Sequence, residues 1–322
     1  MIYAFIFVFL LLAELAYLKI ADAKNIIDKP NQRSSHSEVT VRGGGIIFPI
    51  SMLVYFGLFG FQYPWFLLAL MLISMISFAD DLKHQPRRLR LALHIIAILL
   101  TLYQAQYFTL SWFWIVAALV ICIALLNAYN FMDGINGITC SYALVVIASL
   151  LVLEKLNPFI DINYLYCLAV GAIIFAWFNF RNKARCFAGD VGSISMALAL
   201  IFPSLLLIGK TNHLLFIGLF GVYGIDAGLT ILHRLWKREN ITEAHRQHLF
   251  QYLANEAGWS HLQVSLLYMG IQLLLSTMLI YSWKICTVRE QWLIAVSAFV
   301  LLVAIYVWAK ISILKRATNN NK

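Results

Sequence analysis

The chain has 322 residues, of which 62% are hydrophobic and only 12% are charged, and its formal net charge is +9. A soluble domain has about 45–50% apolar and about 25% charged residues, so this composition excludes water-soluble folds and disordered chains. The low charge content also excludes a nucleic-acid-binding protein, although the net charge is positive. The apolar runs are continuous and do not alternate at every second residue, which favours a helical membrane protein over a β-barrel.

A helix needs about 20 apolar residues to span the bilayer core. The sequence contains eleven such runs, which predict an all-α integral membrane protein with about 11 transmembrane helices. The whole chain, residues 1–322, is predicted to form a single transmembrane domain. The runs cover residues 2–18, 44–61, 64–79, 91–108, 111–129, 138–153, 163–180, 192–209, 213–232, 264–282 and 291–310.

The Lys and Arg residues are divided unequally between the two sets of connecting segments. If the N-terminus is outside, 20 of the 24 basic residues fall in the inner segments. Because basic residues concentrate in cytoplasmic loops, the sequence predicts an N-terminus outside and a C-terminus in the cytoplasm.

Most acidic residues also lie in the segments predicted to be inside, and several lie where a span meets a loop. Ionisable groups at membrane depth usually line a cavity or a reaction site. We therefore expect one active site facing the cytoplasm. It would be formed by five loops, residues 19–45, 80–90, 127–137, 181–193 and 233–263.

Asp80 and Asp81 end the third span. Adjacent carboxylates on a helix point about 100° apart, so one can bind a metal ion or a proton while the other makes a structural contact. The alternative is a pair of solvated acids beside the basic residues of the same loop. The residues alone leave both interpretations open.

A second polar segment ends the fifth span. Its amide and carboxyl groups suit recognition of a polar ring such as a nucleobase, and helix capping explains only part of them. These side chains are Asn127, Asn130, Asp133 and Asn136.

Asp190 opens the eighth span and lies between Gly189 and Gly192. A lone carboxylate beside glycines, which let the backbone approach a ligand, is a suitable ligand for a hard cation. The alternative is an ordinary helix N-cap, a position that aspartate often occupies. The basic residues within 181–185 would attract phosphate groups.

The longest inner loop contains His245, Arg246 and His248. These side chains can donate hydrogen bonds to sugar hydroxyls and to a pyrophosphate, whereas a zinc site would need further Cys or His ligands nearby. A solvated basic loop is the alternative. Between the first two spans, Arg42 precedes three glycines, whose backbone N–H groups are expected to bind an anion.

The inner face thus combines carboxylates for a cation, basic groups for phosphates, amides for a base and histidines for a sugar. These groups suit phosphoryl transfer from a nucleotide-activated sugar to a phosphate carried by a membrane lipid. In their order and spacing the segments resemble the polyprenyl-phosphate N-acetylhexosamine-1-phosphate transferase family, which is glycosyltransferase family 4. The resemblance covers residues 28–261 and rests on DKPNQRSSH, RGGG, DD, NAYNFMDGINGI, CFAGDVGS and AHRQH.

The resemblance implies a role for each matching residue. Asp80 and Asp81 would be catalytic, with Asp80 acting on the lipid phosphate. Asp190 together with Asp81 would bind Mg²⁺, or Mn²⁺ in its place. Phe187 would stack on uracil. The segment that contains His245, Arg246 and His248, called the histidine loop below, would bind the sugar. The implied substrate-binding residues are Asn127, Asn130, Asp133, Asn136, Phe187, Arg33, His36, Arg42, Arg88, His245, Arg246 and His248.

The resemblance also implies the reaction. N-acetylhexosamine-1-phosphate would pass from UDP-N-acetylglucosamine, or from a UDP-linked deoxy-N-acetylhexosamine, to undecaprenyl phosphate, with release of UMP. This is the first membrane step of a surface polysaccharide such as O-antigen or capsule. The implied location is the bacterial inner membrane, and a homodimer is a further implication of the family.

Two alternatives stay open. The peptidoglycan enzyme of the family, which transfers phospho-N-acetylmuramoyl-pentapeptide, usually has three consecutive histidines in the late inner loop, whereas this chain has His-Arg-Gln-His. An ion-coupled transporter would carry acids near the bilayer midplane and an inverted repeat. Here Glu14 is the only acid near the middle of a predicted span.

The chain departs from the family pattern at three places. Asn136 stands where most members have a second aspartate, the segment 179–183 lacks the usual prolines, and Ala188 is smaller than the usual methionine. The geometry of the 179–183 segment is therefore the part of the site that the resemblance predicts least.

Overall fold

The computed structural model of the chain describes residues 1–30, 35, 38–240, 243 and 245–320. Within these residues it contains twelve α-helices and one antiparallel two-stranded sheet, formed by β1 (Ile27–Asp28) and β2 (Thr40–Val41). The helices are α1 (Ile2–Ala23), α2 (Ile47–Phe59), α3 (Pro64–Leu82), α4 (Arg87–Gln104), α5 (Trp112–Met132), α6 (Ile138–Leu156), α7 (Ile162–Asn179), α8 (Gly189–Thr211), α9 (Gly221–Trp236), α10 (Leu249–Asn255), α11 (His261–Ile285) and α12 (Val288–Asn320). Short 3₁₀ helices over Gly44–Ile46, Tyr107–Thr109 and Leu214–Phe220 precede α2, α5 and α9.

Each of the eleven predicted runs lies in a helix, which confirms the all-α membrane fold. In the described part of the chain, nine helices are long and apolar enough to cross a membrane. The other two runs lie in Gly44–Phe59, which is shorter, and in α4, whose first turn carries three arginines. Helix α10 has only seven residues and belongs to the loop between α9 and α11.

Helix α8 is the centre of the bundle. In its most apolar stretch 89% of the residues are buried, and it packs against α2, α3, α5 and α6. Small residues such as Gly192, Ser195 and Ala199 let the neighbouring backbones approach closely. Since α8 begins at Gly189, its central position brings Asp190 to one end of the core.

Helix α12 lies at the edge of the bundle. Only 6% of its most apolar stretch is buried, and its contacts are with α9, α10, α11 and the 3₁₀ helix that precedes α9. Most of its surface is therefore available to lipid.

The five loops predicted to lie inside meet at one end of the bundle. Arg42 in the first loop pairs with Asp81 at the end of α3. The Asn136 amide donates to the backbone of the loop that follows α7. His261 at the start of α11 is 2.9 Å from the Ser35 carbonyl oxygen. These contacts form one polar end opposite the loops predicted to lie outside.

Candidate active site

Three aspartates and two arginines form a carboxylate–guanidinium cluster at the polar end. Arg90 places one nitrogen 2.6 Å from Asp80 and another 3.2 Å from Asp190. Arg42 lies 2.7 Å from Asp81 and 3.5 Å from the other oxygen of Asp190. Asp190 therefore lies between two guanidinium groups, each of which also holds one aspartate of the Asp80–Asp81 pair. One formal negative charge is left over within this cluster.

Asp81 joins the end of α3 to the start of α8. Its side chain is fully buried, and its two oxygens accept hydrogen bonds from the backbone N–H groups of Asp190 and Val191, each at 2.9 Å. A carboxylate at this position satisfies the first N–H groups of the helix and interacts favourably with the helix dipole. Gly189 has a φ of +70°, and a Cβ there would lie 2.6 Å from Asp81 Oδ2. This close approach requires glycine.

Asp80 and Asp190 differ in their access to a ligand. Asp80 accepts hydrogen bonds from the Gln85 backbone N–H and from Arg90, both at 2.6 Å, and its side chain is 5% exposed. Asp190 is 18% exposed and accepts a hydrogen bond from the Asn130 amide at 3.1 Å. Asp190 is thus the most accessible carboxylate of the three.

The three glycines after Arg42 have a different role from the one that we expected. The N–H groups of Gly44 and Gly45 donate to the carbonyl oxygens of Phe187 and Ala188, at 2.9 and 3.1 Å. The expectation that these two groups bind an anion is therefore wrong, because they already hold the Phe187–Ala188 backbone. The small residues allow the two segments to touch, and a Cβ on Gly45 would overlap the backbone of Gly192.

The polar residues that end α5 are divided among several tasks. Asn130 holds Asp190 and also donates to Ser193 Oγ at 3.1 Å, so it belongs to the cluster. Asp133 accepts a hydrogen bond from Thr139 Oγ1 at 2.5 Å, and burial raises the pKa of its carboxyl to about 7. Asn127 donates to the carbonyl of its own helix four residues earlier, at 2.8 Å, so this hydrogen bond does not join it to the cluster.

Asn136 secures the loop that follows α7. Its amide nitrogen donates to the carbonyl oxygens of Arg181 and Asn182, at 2.9 and 3.0 Å. An aspartate could not donate these two hydrogen bonds. Two of the departures from the family pattern, Asn136 and the 179–183 segment, are therefore in direct contact.

A polar cavity of about 520 Å³ adjoins this loop. Phe187 forms an apolar part of its lining, and Asn136, Lys183 and His261 supply polar groups. Among the described residues the buried Asn136 Oδ1 atom has no hydrogen-bond partner. A cavity lined by an aromatic ring and by amide, amine and imidazole groups suits a flat polar ring.

The histidine loop contacts the end of α5 at Phe131, the residue after Asn130. The Phe131 ring lies 6.4 Å from the His245 ring and 6.1 Å from the His248 ring. His245 is half-buried, and burial together with the neighbouring His248 lowers its pKa to about 4. At neutral pH His245 is therefore an uncharged hydrogen-bonding group. Arg246 pairs with Glu256 at 3.0 Å.

Several predicted residues lie elsewhere. Arg33 and His36 fall outside the described residues. Arg88 is exposed on α4, whereas Arg90, two positions later, bridges the cluster.

Sequence reasoning missed a role for Asp226, which is 1% exposed and lies 3.3 Å from His248. The sequence signal for Asp226 is an acidic residue within an apolar run, where a buried carboxylate requires several hydrogen-bond partners.

The cluster includes possible ligands for a metal ion. In the described part of the chain no three His, Cys, Asp or Glu side chains converge as a preformed metal site. Asp190, as the most exposed carboxylate, is the best-placed single ligand. Arg90 contacts both Asp190 and Asp80, so Asp80 is the second candidate. Both oxygens of Asp81 are engaged with α8, so its predicted role as a ligand stays a prediction.

Comparison with known proteins places the chain among transferases. Residues 63–208 match the family model described as glycosyl transferase family 4. A phospho-N-acetylmuramoyl-pentapeptide-transferase of Leuconostoc citreum is 28% identical over 218 residues, which cover 61% of this chain and 64% of that protein. The enzyme of the same name from Listeria welshimeri is 25% identical, and the match covers 80% of this chain and 88% of that protein. The one from Borrelia duttonii is 23% identical, and the match covers 60% of this chain and 58% of that protein.

The matched region contains the Asp80–Asp81 pair, Arg90, the polar end of α5 and the Gly189–Asp190 turn, whereas Arg42 of the cluster lies outside it. This confirms the resemblance found in the sequence. Over residues 63–208 the chain is thus similar to glycosyl transferase family 4, in agreement with the resemblance to polyprenyl-phosphate sugar-1-phosphate transferases.

Proposed function

We propose that the protein transfers a sugar-1-phosphate group from a UDP-sugar to undecaprenyl phosphate at the polar end of the bundle. An oxygen of the lipid phosphate forms a bond to the phosphorus that carries the sugar, and the bond from that phosphorus to the bridging oxygen breaks. UMP leaves with the electron pair, and a lipid diphosphate sugar remains. The observation that carries this proposal is the carboxylate–guanidinium cluster beside the cavity that Phe187 lines.

The arginines supply positive charge for the phosphate groups. Phosphoryl transfer depends mainly on positioning and charge stabilisation, and arginine binds phosphate oxygens through two parallel N–H groups. Arg42 and Arg90 each contact two carboxylates. When substrate binds, they can exchange part of these contacts for phosphate oxygens without leaving the site.

The two adjacent aspartates take different roles in this proposal. Asp81 already satisfies the N–H groups that begin α8, which supports a structural contribution. Asp80 is left to orient the lipid phosphate or to accept its proton. The burial of both side chains supports this division of roles over the alternative of two solvated acids.

A magnesium ion fits the donor set when the substrate supplies further ligands. Mg²⁺ is usually bound by one or two carboxylates together with phosphate oxygens, and not by an all-protein cage. Asp190 and Asp80 offer such carboxylates, and the cluster carries an excess negative charge. A bound Mg²⁺ would neutralise charge on the diphosphate. The manganese ion, with similar ligand preferences, is the alternative metal.

The base of the nucleotide would bind in the cavity of about 520 Å³. A uracil ring stacked on Phe187 would lie next to Asn136, which lines the same cavity. His245 and Arg246 would then lie toward the sugar, because Phe131 connects their loop with the end of α5.

Two sugar donors have support from different observations. The named relatives favour phospho-N-acetylmuramoyl-pentapeptide, the alternative from the sequence, over the N-acetylhexosamine donor of our main hypothesis. The sequence His-Arg-Gln-His, which stands where the peptidoglycan enzyme usually has three consecutive histidines, favours the N-acetylhexosamine. His248 itself is buried against Asp226, so His245 and Arg246 are the residues of this loop left to contact the sugar. Both donors need the same transfer chemistry, and the match of residues 63–208 to a transferase family supports an enzyme over an ion-coupled transporter.

Release of UMP by the purified protein in detergent tests the proposal. The reactions contain Mg²⁺, undecaprenyl phosphate and either one UDP-N-acetylhexosamine from a panel or UDP-N-acetylmuramoyl-pentapeptide. Matched reactions omit the lipid or contain a chelator. We expect lipid- and metal-dependent UMP from one donor. No UMP from any donor, although uridine nucleotides bind, would contradict the proposed transfer.

A further inference from the structure

The most deeply buried side chains of the last helix carry polar groups. Among the described side chains of α12, three are buried: Gln291, Tyr306 and Lys310, which are 4%, 6% and 8% exposed. A lysine within an apolar membrane helix is energetically costly and usually functional. None of the motifs in the sequence accounts for Lys310.

Lys310 binds the backbone of the histidine loop. Its ammonium group donates hydrogen bonds to the Gln247 carbonyl oxygen at 2.8 Å and to the Tyr306 hydroxyl at 3.0 Å. It also lies 5.4 Å from the centre of the Tyr252 ring. Hydrogen bonds from a charged donor are about twice as strong as neutral ones. The Gln247 carbonyl belongs to the peptide group that joins Gln247 to His248.

Asp226 holds the same loop from α9. Its carboxylate lies 3.3 Å from His248 Nδ1 and accepts hydrogen bonds from the backbone N–H groups of Leu249 and Phe250, at 3.0 and 3.3 Å. The Tyr268 hydroxyl donates to it at 2.5 Å. This buried charge is therefore well satisfied, and it sets the direction in which the loop enters α10.

Thr230 and Tyr306 connect the two anchors. The Tyr306 hydroxyl lies 2.9 Å from Thr230 Oγ1, and Thr230 Oγ1 lies 3.4 Å from Asp226 Oδ1. The chain of contacts thus runs from Lys310 on α12 to Asp226 on α9 without leaving the interior. Lys310 at one end holds Gln247, and Asp226 at the other end holds the next residue, His248.

We propose that Lys310 is a positioning residue for the sugar-binding loop, with Tyr306 as its link to α9. This inference rests on the proposed function, because it assigns residues 245–248 to the sugar part of the UDP-sugar. His245 packs against His248, with ring centres 4.9 Å apart. A shift of the Gln247 carbonyl would therefore move both the imidazole of His245 and the side chain of Arg246.

The main test compares Lys310→Met with Lys315→Met. Both substitutions remove one positive charge from α12, but Lys315 is exposed. Loss of hydrogen bonds from a charged group is expected to raise KM for the UDP-sugar about tenfold or more in Lys310→Met. The value of kcat should change much less, because the carboxylate–guanidinium cluster is untouched. Lys315→Met should match the unmodified protein in both constants.

Trypsin cleavage after Arg246 reports on the loop without any substrate. We expect faster cleavage at this bond in Lys310→Met than in Lys315→Met. If Lys310→Met does not fold, Tyr306→Phe, which breaks the link to Thr230, is measured in the same way. The same direction of change is expected, though smaller, since the Lys310 hydrogen bond to Gln247 is kept.

The outcomes separate this inference from the proposed function. Unchanged KM and unchanged cleavage in the Lys310 variant, relative to Lys315→Met, would overturn the positioning role. A fall in kcat alone would also overturn it, because it would indicate general loss of folded enzyme. If the unmodified protein transfers no sugar but Lys310→Met still speeds cleavage, the proposed function fails while the anchoring of the loop is supported.

Discussion

Asp190 is the residue on which the charge balance of the site depends, since it contacts both Arg42 and Arg90. We predict that Asp190→Asn lowers lipid-dependent UMP release by at least about two orders of magnitude, the range expected for loss of a positioned catalytic group. The amide oxygen can still accept the Asn130 hydrogen bond, so the thermal unfolding midpoint should stay close to that of the unmodified protein. Near-normal turnover at saturating Mg²⁺ would exclude Asp190 as the metal ligand.

Asp81 should respond differently to the same change. In Asp81→Asn, an NH₂ group would face a backbone N–H group at the start of α8, because both aspartate oxygens are acceptors there. We predict a loss of about 1–3 kcal/mol of unfolding free energy, the usual cost of an unsatisfied buried group. Thermal unfolding in detergent measures it, with Asp190→Asn as the comparison. Equal midpoints for the two variants would argue against the capping role.

Asn136 is the residue where the departure from the family pattern has a physical reason in the fold. In Asn136→Asp, a carboxylate would face two carbonyl oxygens that now accept hydrogen bonds from the amide. We predict a destabilisation of about 1–3 kcal/mol and weaker nucleotide binding. Asn182→Asp is the matched control for stability, because it adds the same charge at an exposed position of the loop that Asn136 holds. If Asn182→Asp loses as much unfolding free energy as Asn136→Asp, the added charge alone would explain the effect.

At the scale of elements, the hydrophobic pattern predicts the helices well, because the bilayer requires long apolar runs. The same pattern cannot predict that Asp81 caps α8, since the two sites are 109 residues apart. It also cannot predict that Gly44 and Gly45 bind the 187–188 backbone. Such partners are defined by tertiary contacts. The loops of the site were therefore predictable, while the hydrogen bonds within them were not.

The crossing of the 3₁₀ turn at Gly44–Ile46 with α8 gives an element-scale prediction. A Cβ at Gly45 would lie 2.8 Å from the Ala188 carbonyl oxygen and would overlap the Gly192 backbone. We predict that Gly45→Ala separates the two segments and removes most activity. Gly57→Ala is the control, since no atom lies within 4 Å of its added methyl group and alanine favours a helix by about 1 kcal/mol. UMP release and the yield of folded protein are the measurements. Normal activity of Gly45→Ala would show that the crossing tolerates a wider spacing.

At the scale of the whole molecule, the site occupies one polar end of an otherwise apolar bundle. A lipid phosphate and a water-soluble nucleotide sugar can meet only at such a surface, since the charged diphosphate cannot enter the bilayer core. The basic residues concentrate in the loops at that same end, where 20 of the 24 are predicted to lie. Charge distribution, site position and proposed substrates thus all favour the orientation that the sequence predicts.

That orientation is open to a direct test by cysteine labelling in intact cells. Gln62 and Asn182 are exposed and lie in loops predicted to face opposite sides of the membrane. We predict that a membrane-impermeant maleimide labels Gln62→Cys in intact cells, whereas it labels Asn182→Cys only after the membrane is opened. Cys286, which is half-buried near the end predicted to be outside, is first replaced by serine to remove background labelling. The reverse pattern would place the site outside the cell, where UDP-sugars made in the cytoplasm cannot reach it, and would contradict both the predicted orientation and the proposed reaction.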